Sequence, residues 1–175
     1  MFPIFKGKAL KRVILSKGER FPFEQGSLRK QINTIAMKHT ATAIWKGSVK
    51  EGEGSLTTRS KVLDASKYSY NTRFGDGRGT NPDELVAAAH AGCFAMALSM
   101  ILGNKGFEPE SLEVTATVNM DPAKLALTES RLDLKAKVPG IDRDTFEACA
   151  GDAKDNCPVS KALSGLTITL HTELL

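Results

Sequence analysis

Cysteine is scarce in this chain of 175 residues: Cys93, Cys149 and Cys157 are the only three. They form neither a CxxC pair nor the spacing of a zinc site, and their odd number excludes a simple disulfide scaffold. In a reducing compartment they are thiols by default, and any disulfide between them is expected to be transient and catalytic. Long apolar runs are missing as well. No stretch of about 18 consecutive apolar residues occurs, and the N-terminus has no apolar h-region followed by a small-residue cleavage site. The expectation is a soluble, cytoplasmic protein with no membrane partner. There is no internal repeat and no low-complexity segment. The glycine-rich "FGDGRGTNP" lacks the GK[ST] ending of a phosphate-cradling loop, which argues against nucleotide binding.

Acidic residues are nearly absent from one region only. Residues 1–36 carry eight basic side chains against Glu19 and Glu24, a balance of +6, whereas the whole chain is +4 and the remaining 139 residues are therefore −2. The basic character belongs to a short head segment and gives no reason to expect a nucleic-acid-binding domain. Residues 1–36 are read as a basic leader, and residues 37–175 as one domain. The chain as a whole is 41% apolar and 25% charged, and a domain of this length is large enough for a sizeable core.

From Met37 onward the pattern becomes regular. "KHTATAIWKG" alternates and is rich in β-formers, and "GSLTTRSKVLD" follows the glycine-rich "KEGEG", which predicts an antiparallel meander. Asn81 or Thr80 then suits a helix N-cap, Pro82 the first turn, and Asp83 and Glu84 the positive end of the dipole. From Pro82 to Asn104 the only breaker before the closing Gly103 is Gly92. The segment is apolar nearly all round, so the helix is expected to be buried on most sides. "LEVTATVNM" and "RLDLKAKV" alternate as half-buried antiparallel strands, with "DPAKLALTES" between them as a connection. "DRDTFEACAGDAKDN" is a helix weakened by Gly151, a short helix starts at Pro158, and "LTITLHTEL" is a last strand. The order is that of an α+β domain.

A cysteine on a buried helix is more often a small hydrophobe than a reagent, which would make Cys93 inert. Cys157 has a different setting. In "NCPVSKAL" it stands at the entry to a helix, where unpaired N–H groups favour a thiolate. Cys149, in mid-helix, reads as structural. The chain thus offers two candidate redox thiols, a weak signal when taken alone.

Longer strings make it specific. "YSYNTRFGDGRGTNPDELVAAAHAGCFAMAL", followed by "DNCPVSKAL" and "ITL", resembles the OsmC branch of the OsmC/Ohr family of bacterial hydroperoxide-reducing proteins. The resemblance covers Met37 to Leu175. It implies an OsmC-like fold, with antiparallel sheets packed around a long central helix in an intertwined homodimer, and a cysteine-based peroxidase without metal, haem or flavin. By the same resemblance Cys93 in "HAGCF" is the peroxidatic cysteine, Cys157 its resolving partner, and Arg73 in "NTRF" the arginine of the active thiolate. Asp83 stands where the family commonly has glutamate, the acid that pairs with that arginine. Being one methylene shorter, it requires the arginine to move, or a bridging water, or Glu84 in its place. The implied substrates are organic hydroperoxides, with hydrogen peroxide less favoured by an apolar pocket, and the implied reductant is an external dithiol of lipoyl type. The setting would be oxidative and osmotic stress.

Each assignment has a physical reason. A thiol among Ala, Phe, Met and Leu should have a raised pKa, so a cation must restore the thiolate that attacks the O–O bond. Arginine stays charged in apolar surroundings, and its planar fork can face a thiolate and a carboxylate together. Asp83 and Cys93, however, are ten residues and about 15 Å apart along one helix. If Arg73 joins them, the acid comes from a neighbouring subunit, and a two-fold dimer that buries the apolar helix follows.

Other residues take plainer readings. His90, one turn before Cys93, could act as a base but reads as structural when Arg73 is available. His39 and His171 are strand positions, and Trp45 is packing. Two rivals remain: a non-enzymatic thiol redox sensor or binding module on the same fold, and a metal site built from His90, Cys93 and Cys157.

Overall fold

A computed structural model describes residues 37–175, of which Thr40–Leu175 forms one unit; the leader expected at residues 1–36 lies outside the described residues. Three strands open the fold, β1 (Ala41–Lys46), β2 (Glu53–Thr58) and β3 (Ser66–Ser69), paired antiparallel in the order β1-β2-β3. The meander holds where the alternation placed it. Gly54 lies in register between Trp45 and Tyr68, whose rings meet at 5.3 Å across it. A side chain at position 54 would collide with both rings, so the glycine lets the two aromatics pack over the bare strand.

A one-turn helix, α1 (Tyr70–Phe74), follows directly. Ser69 caps it by accepting from the Thr72 N–H, and the Thr72 hydroxyl oxygen accepts from the Ser69 N–H in return. The long helix α2 (Pro82–Asn104) starts and stops where the sequence places it. Asn81 is its N-cap: the side-chain oxygen accepts from the Glu84 N–H at 2.9 Å, and the amide nitrogen donates to the Thr72 carbonyl at 3.0 Å. One side chain therefore both starts α2 and ties it to α1.

The second sheet contains β4 (Ser111–Asp121), β5 (Ala126–Lys137) and β6 (Thr167–Leu174) in the order β4-β5-β6. The expected connection "DPAKLALTES" is mostly strand, because β5 already pairs with β4 at Ala126↔Asp121 and only residues 122–125 turn. The expectation of purely antiparallel sheets is corrected here. β6 runs parallel to β5, since α3 (Arg143–Asn156) and α4 (Pro158–Ala162) carry the chain back to the same end of the sheet before β6 begins.

The core lies between this sheet and the helices. Along β5 the inward row is Ser130, Leu132, Leu134 and Ala136; α3 contributes Phe146, Cys149, Ala150 and Ala153 at helical spacing; and α2 contributes His90, Phe94, Leu98 and Leu102. Complete burial of Phe94, Leu98 and Leu102 is worth about 1.5–3 kcal/mol each. The expectation that α2 is buried on most sides is likewise corrected. Within one chain it buries a single stripe of every fourth residue, while Met96 and Met100 on another side are 77% and 63% exposed. By length and hydropathy α2 would also suffice to cross a membrane, but its buried stripe packs into the core of the domain.

Candidate active site

Two pairs of the expected site residues form within the chain, at different places on α2. The first is at its N-terminus. Arg73 Nε donates to one carboxylate oxygen of Asp83 at 3.0 Å and its terminal nitrogen to the other at 2.8 Å. The geometry follows from the Asn81 bridge, which holds the turn containing Thr72 and Arg73 against the first turn of α2. Arg73 also lies 5.4 Å from the centre of the Phe74 ring. The shorter acid thus meets the guanidinium directly and with both oxygens. Glu84 is engaged elsewhere, accepting from the Thr80 hydroxyl at 3.2 Å.

The second pair is Cys93 and Cys157. Both are free thiols; Cys93 is half-buried and Cys157 is fully buried. Cys93 packs against the buried cluster that contains Cys157, and each thiol influences the titration of the other. Cys157 is held at a corner: its N–H closes α3 on the Ala153 carbonyl at 2.9 Å, and it is the N-cap residue of α4. Pro158 enforces the break, because the residue before proline is kept out of the helical region. Burial pushes the Cys93 thiol above its ordinary value, and the contact with Cys157 adds to the rise. At Cys157 burial acts in the same direction, but the neighbouring donor groups of Cys93, Ser160 and Val159 outweigh it, and the net shift is downward. α4 is only five residues long, so these individual donors, rather than a long helix dipole, favour the thiolate.

Within one chain the two pairs do not meet. Arg73 is anchored at Asp83, about 15 Å along the helix from Cys93. Arginine and acid pair within one chain, and Cys93 of that same chain lies out of their reach.

Sequence reasoning missed two residues beside the thiols. His90 is fully buried, with Nδ1 2.7 Å from the Ser130 hydroxyl and Nε2 2.9 Å from the Ser160 hydroxyl. Burial lowers its pKa from the ordinary value, which keeps the ring neutral. With both ring nitrogens committed to serines, His90 offers none to a metal. Among the described residues no three His, Cys, Asp or Glu side chains converge as a metal cage. The signal for Ser130 was its period-two position, on the same face as Leu132, Leu134 and Ala136. Cys149 is buried in the core on α3, and burial raises its thiol pKa.

A family model described as OsmC-like protein matches residues 75–171, more than half of the chain, including both Cys93 and Cys157. The chain belongs to the OsmC-like family. One relative, Peroxiredoxin OsmC of Escherichia coli (strain K12), is 47% identical over 134 residues, 75% of this chain and 93% of its own length. Organic hydroperoxide resistance protein-like 1 of Staphylococcus epidermidis is 35% identical over 57% of this chain and 74% of its own. The crystal structure of an organic hydroperoxide resistance protein from Elizabethkingia anophelis superposes with a TM-score of 0.62 at 22% identity, covering 81% of this chain and 100% of that one. At that identity it shows the fold, the OsmC-like arrangement of two small sheets and a long helix.

Proposed function

We propose that this OsmC-like protein is a cysteine-based peroxidase that reduces organic hydroperoxides to alcohols. The observation that carries the reading is the contact between Cys93 and Cys157 in a chain 47% identical to Peroxiredoxin OsmC. Cys93 thiolate attacks the distal peroxide oxygen, the O–O bond breaks, and the alkoxide takes a proton and leaves as alcohol. Cys93 is left as a sulfenic acid. Cys157 thiolate attacks its sulfur, the S–S bond forms as the S–O bond breaks, and the hydroxide leaves as water after protonation. An external dithiol, of lipoyl type by family resemblance, exchanges with the disulfide, becomes oxidised and restores both thiols. Apolar surroundings favour alkyl hydroperoxides over hydrogen peroxide. A cytoplasmic setting, where thiols are kept reduced, suits this cycle.

The active unit is a homodimer. Every residue of β1 is exposed in the single chain, and the uncovered side of α2 is built from Ala88, Ala89, Gly92, Met96 and Met100. No atom lies near the position a side chain at Gly92 would occupy. Small residues on an apolar helix allow close approach of a second helix, and a two-fold partner supplies one. In that dimer the Arg73–Asp83 pair of one subunit serves Cys93 of the other, providing the cation that burial at Cys93 calls for.

Steady-state consumption of cumene hydroperoxide with dihydrolipoate tests the reading. Cys93→Ser should abolish reaction with peroxide, and Cys157→Ser should allow one turnover and then stall or over-oxidise. Equal activity in wild type and both variants would sink it, whereas loss of two thiols without turnover would favour a redox sensor.

A further inference from the structure

We propose that His90, acting through the Ser160 hydroxyl, is the positioning residue for disulfide formation at Cys157. The inference rests on the peroxidase reading above. Four elements bring the groups together: His90 from α2, Ser130 from β5, Ser160 from α4, and Cys157 from the corner between α3 and α4. His90 and Ser130 are 0% exposed and Ser160 is 5% exposed, so water does not compete for these hydrogen bonds. Every buried side-chain nitrogen and oxygen among the described residues has a partner, and this cluster is satisfied by its own members.

A Ser160 hydroxyl that donates to Cys157 sets the polarity of the whole cluster. A neutral imidazole has one N–H and one bare nitrogen, and each serine has a single O–H. When the Ser160 hydroxyl donates to the Cys157 sulfur, its oxygen must accept from His90 Nε2–H. Nδ1 is then the bare nitrogen and accepts from the Ser130 hydroxyl. All three protons therefore point along one line toward Cys157: Ser130 O–H to Nδ1, Nε2–H to Ser160, Ser160 O–H to sulfur. Without the histidine the Ser160 hydroxyl is free to rotate away. Ser160 stands three residues after Cys157, on the first turn of α4, and acts on the reacting sulfur directly, whereas His90 acts on it only through Ser160.

This orientation serves the second chemical step and not the first. The attacking Cys157 thiolate gains a donor that keeps it ionised and aims its free lone pairs at Cys93. The step balances as written above: Cys157 sulfur joins Cys93 sulfur, the S–O electron pair leaves on hydroxide, and solvent supplies the proton that makes water. The influences on Cys157 come from burial, Cys93, Ser160 and Val159, so the titratable groups facing it are Cys93 directly and His90 through Ser160.

The test mixes the full chain with one equivalent of cumene hydroperoxide across a pH series. A sulfenic-acid-trapping dione and mass spectrometry then follow the appearance of Cys93 sulfenic acid and its conversion to the disulfide separately. Ser160→Ala and His90→Leu should slow the conversion about tenfold and move its pH midpoint upward, since a hydrogen bond to a charged sulfur is lost. His90→Gln, which keeps an N–H directed at Ser160, should restore most of the rate, and so should Ser160→Thr where the histidine variants fold poorly. A purely structural histidine would slow both steps together and leave the pH midpoint in place. Conversion at the wild-type rate and midpoint in Ser160→Ala, or equal slowing of both steps in all variants, would overturn the inference while the peroxidase reading stands. Wild-type protein that forms no disulfide with the peroxide would overturn both.

Discussion

Arg73 and Asp83 share two parallel hydrogen bonds within one chain, 3.0 and 2.8 Å long, at the N-terminus of α2, whereas Cys93 lies at the middle of that helix. A cation so tightly held cannot also reach a thiol about 15 Å away along the same helix. The pair is complete as a unit, and what it lacks is the sulfur.

A mixing experiment reads this directly. Arg73→Ala and Cys93→Ser, each inactive alone, should recover activity after unfolding and refolding together. In the proposed dimer, a mixed pair would set the intact Cys93 of one subunit against the intact Arg73 of the other. One competent site in half of the dimers gives about a quarter of wild-type turnover. If Arg73 served its own chain's cysteine, the mixture would stay inactive.

Asp83→Asn keeps the shape of the acid but not its charge. The pair is partly exposed, so its direct contribution to stability is about 1 kcal/mol or less. Activity should suffer far more, because the guanidinium loses its anchor; a drop in kcat/KM of about tenfold or greater is expected, with the melting temperature nearly unchanged. Asp83→Glu should retain activity, since glutamate still offers two oxygens to the guanidinium. Steady-state kinetics beside calorimetry separates the two effects.

Asn81→Ala should act on both stability and activity. It removes the N-cap of α2 and the link to the Thr72 carbonyl, at a cost of about 1 kcal/mol for the cap alone. The corner that presents Arg73 to Asp83 would loosen with it. Denaturant unfolding should show the loss, and activity should fall more steeply than in a surface substitution of equal cost.

How much of this was legible depends on the kind of signal. The bounds of α2 were, because Asn81, Pro82 and a run without strong breakers act locally. The buried stripe His90, Phe94, Leu98 and Leu102 was not: a helix apolar on every side has no periodicity that tells the core of its own chain from the surface offered to another. The direction of β6 was hidden for a similar reason, since alternation is identical in parallel and antiparallel strands. Cys93, Cys157, Arg73 and Asp83 stood out through their motifs. The serines around His90 did not, because Ser130 and Ser160 are 40 and 70 residues away from it in sequence and meet only through the fold.

Acidification should probe that buried histidine. Its folded-state pKa lies below the ordinary 6.5, so below that pH the unfolded chain takes up a proton that the folded chain refuses. Its contribution to stability is therefore complete above pH 6.5 and is lost as the pH falls from there toward the folded value, with a slope of up to about 1.4 kcal/mol per pH unit. Urea unfolding between pH 7.5 and 5 should show this slope in wild type and a flatter one in His90→Gln, at about these pH values. Equal slopes would mean that His90 takes up its proton at the same pH in the folded and the unfolded chain.

Met96 separates folding from assembly. Its side chain is 77% exposed in the single chain and lies outside the stripe that forms the core, so Met96→Glu should leave the fold of each subunit intact. In a dimer that buries this side of α2, the same substitution places two carboxylates in an apolar contact, a cost of several kcal/mol for each charge left unpaired. Sedimentation at micromolar concentration should then show a monomer with native far-ultraviolet circular dichroism. Peroxide consumption should be lost with the dimer, although Cys93 and Cys157 remain side by side in every chain, because the guanidinium that serves the thiolate belongs to the absent subunit. A fully active monomer would show instead that the Cys93–Cys157 pair needs no cation from a partner.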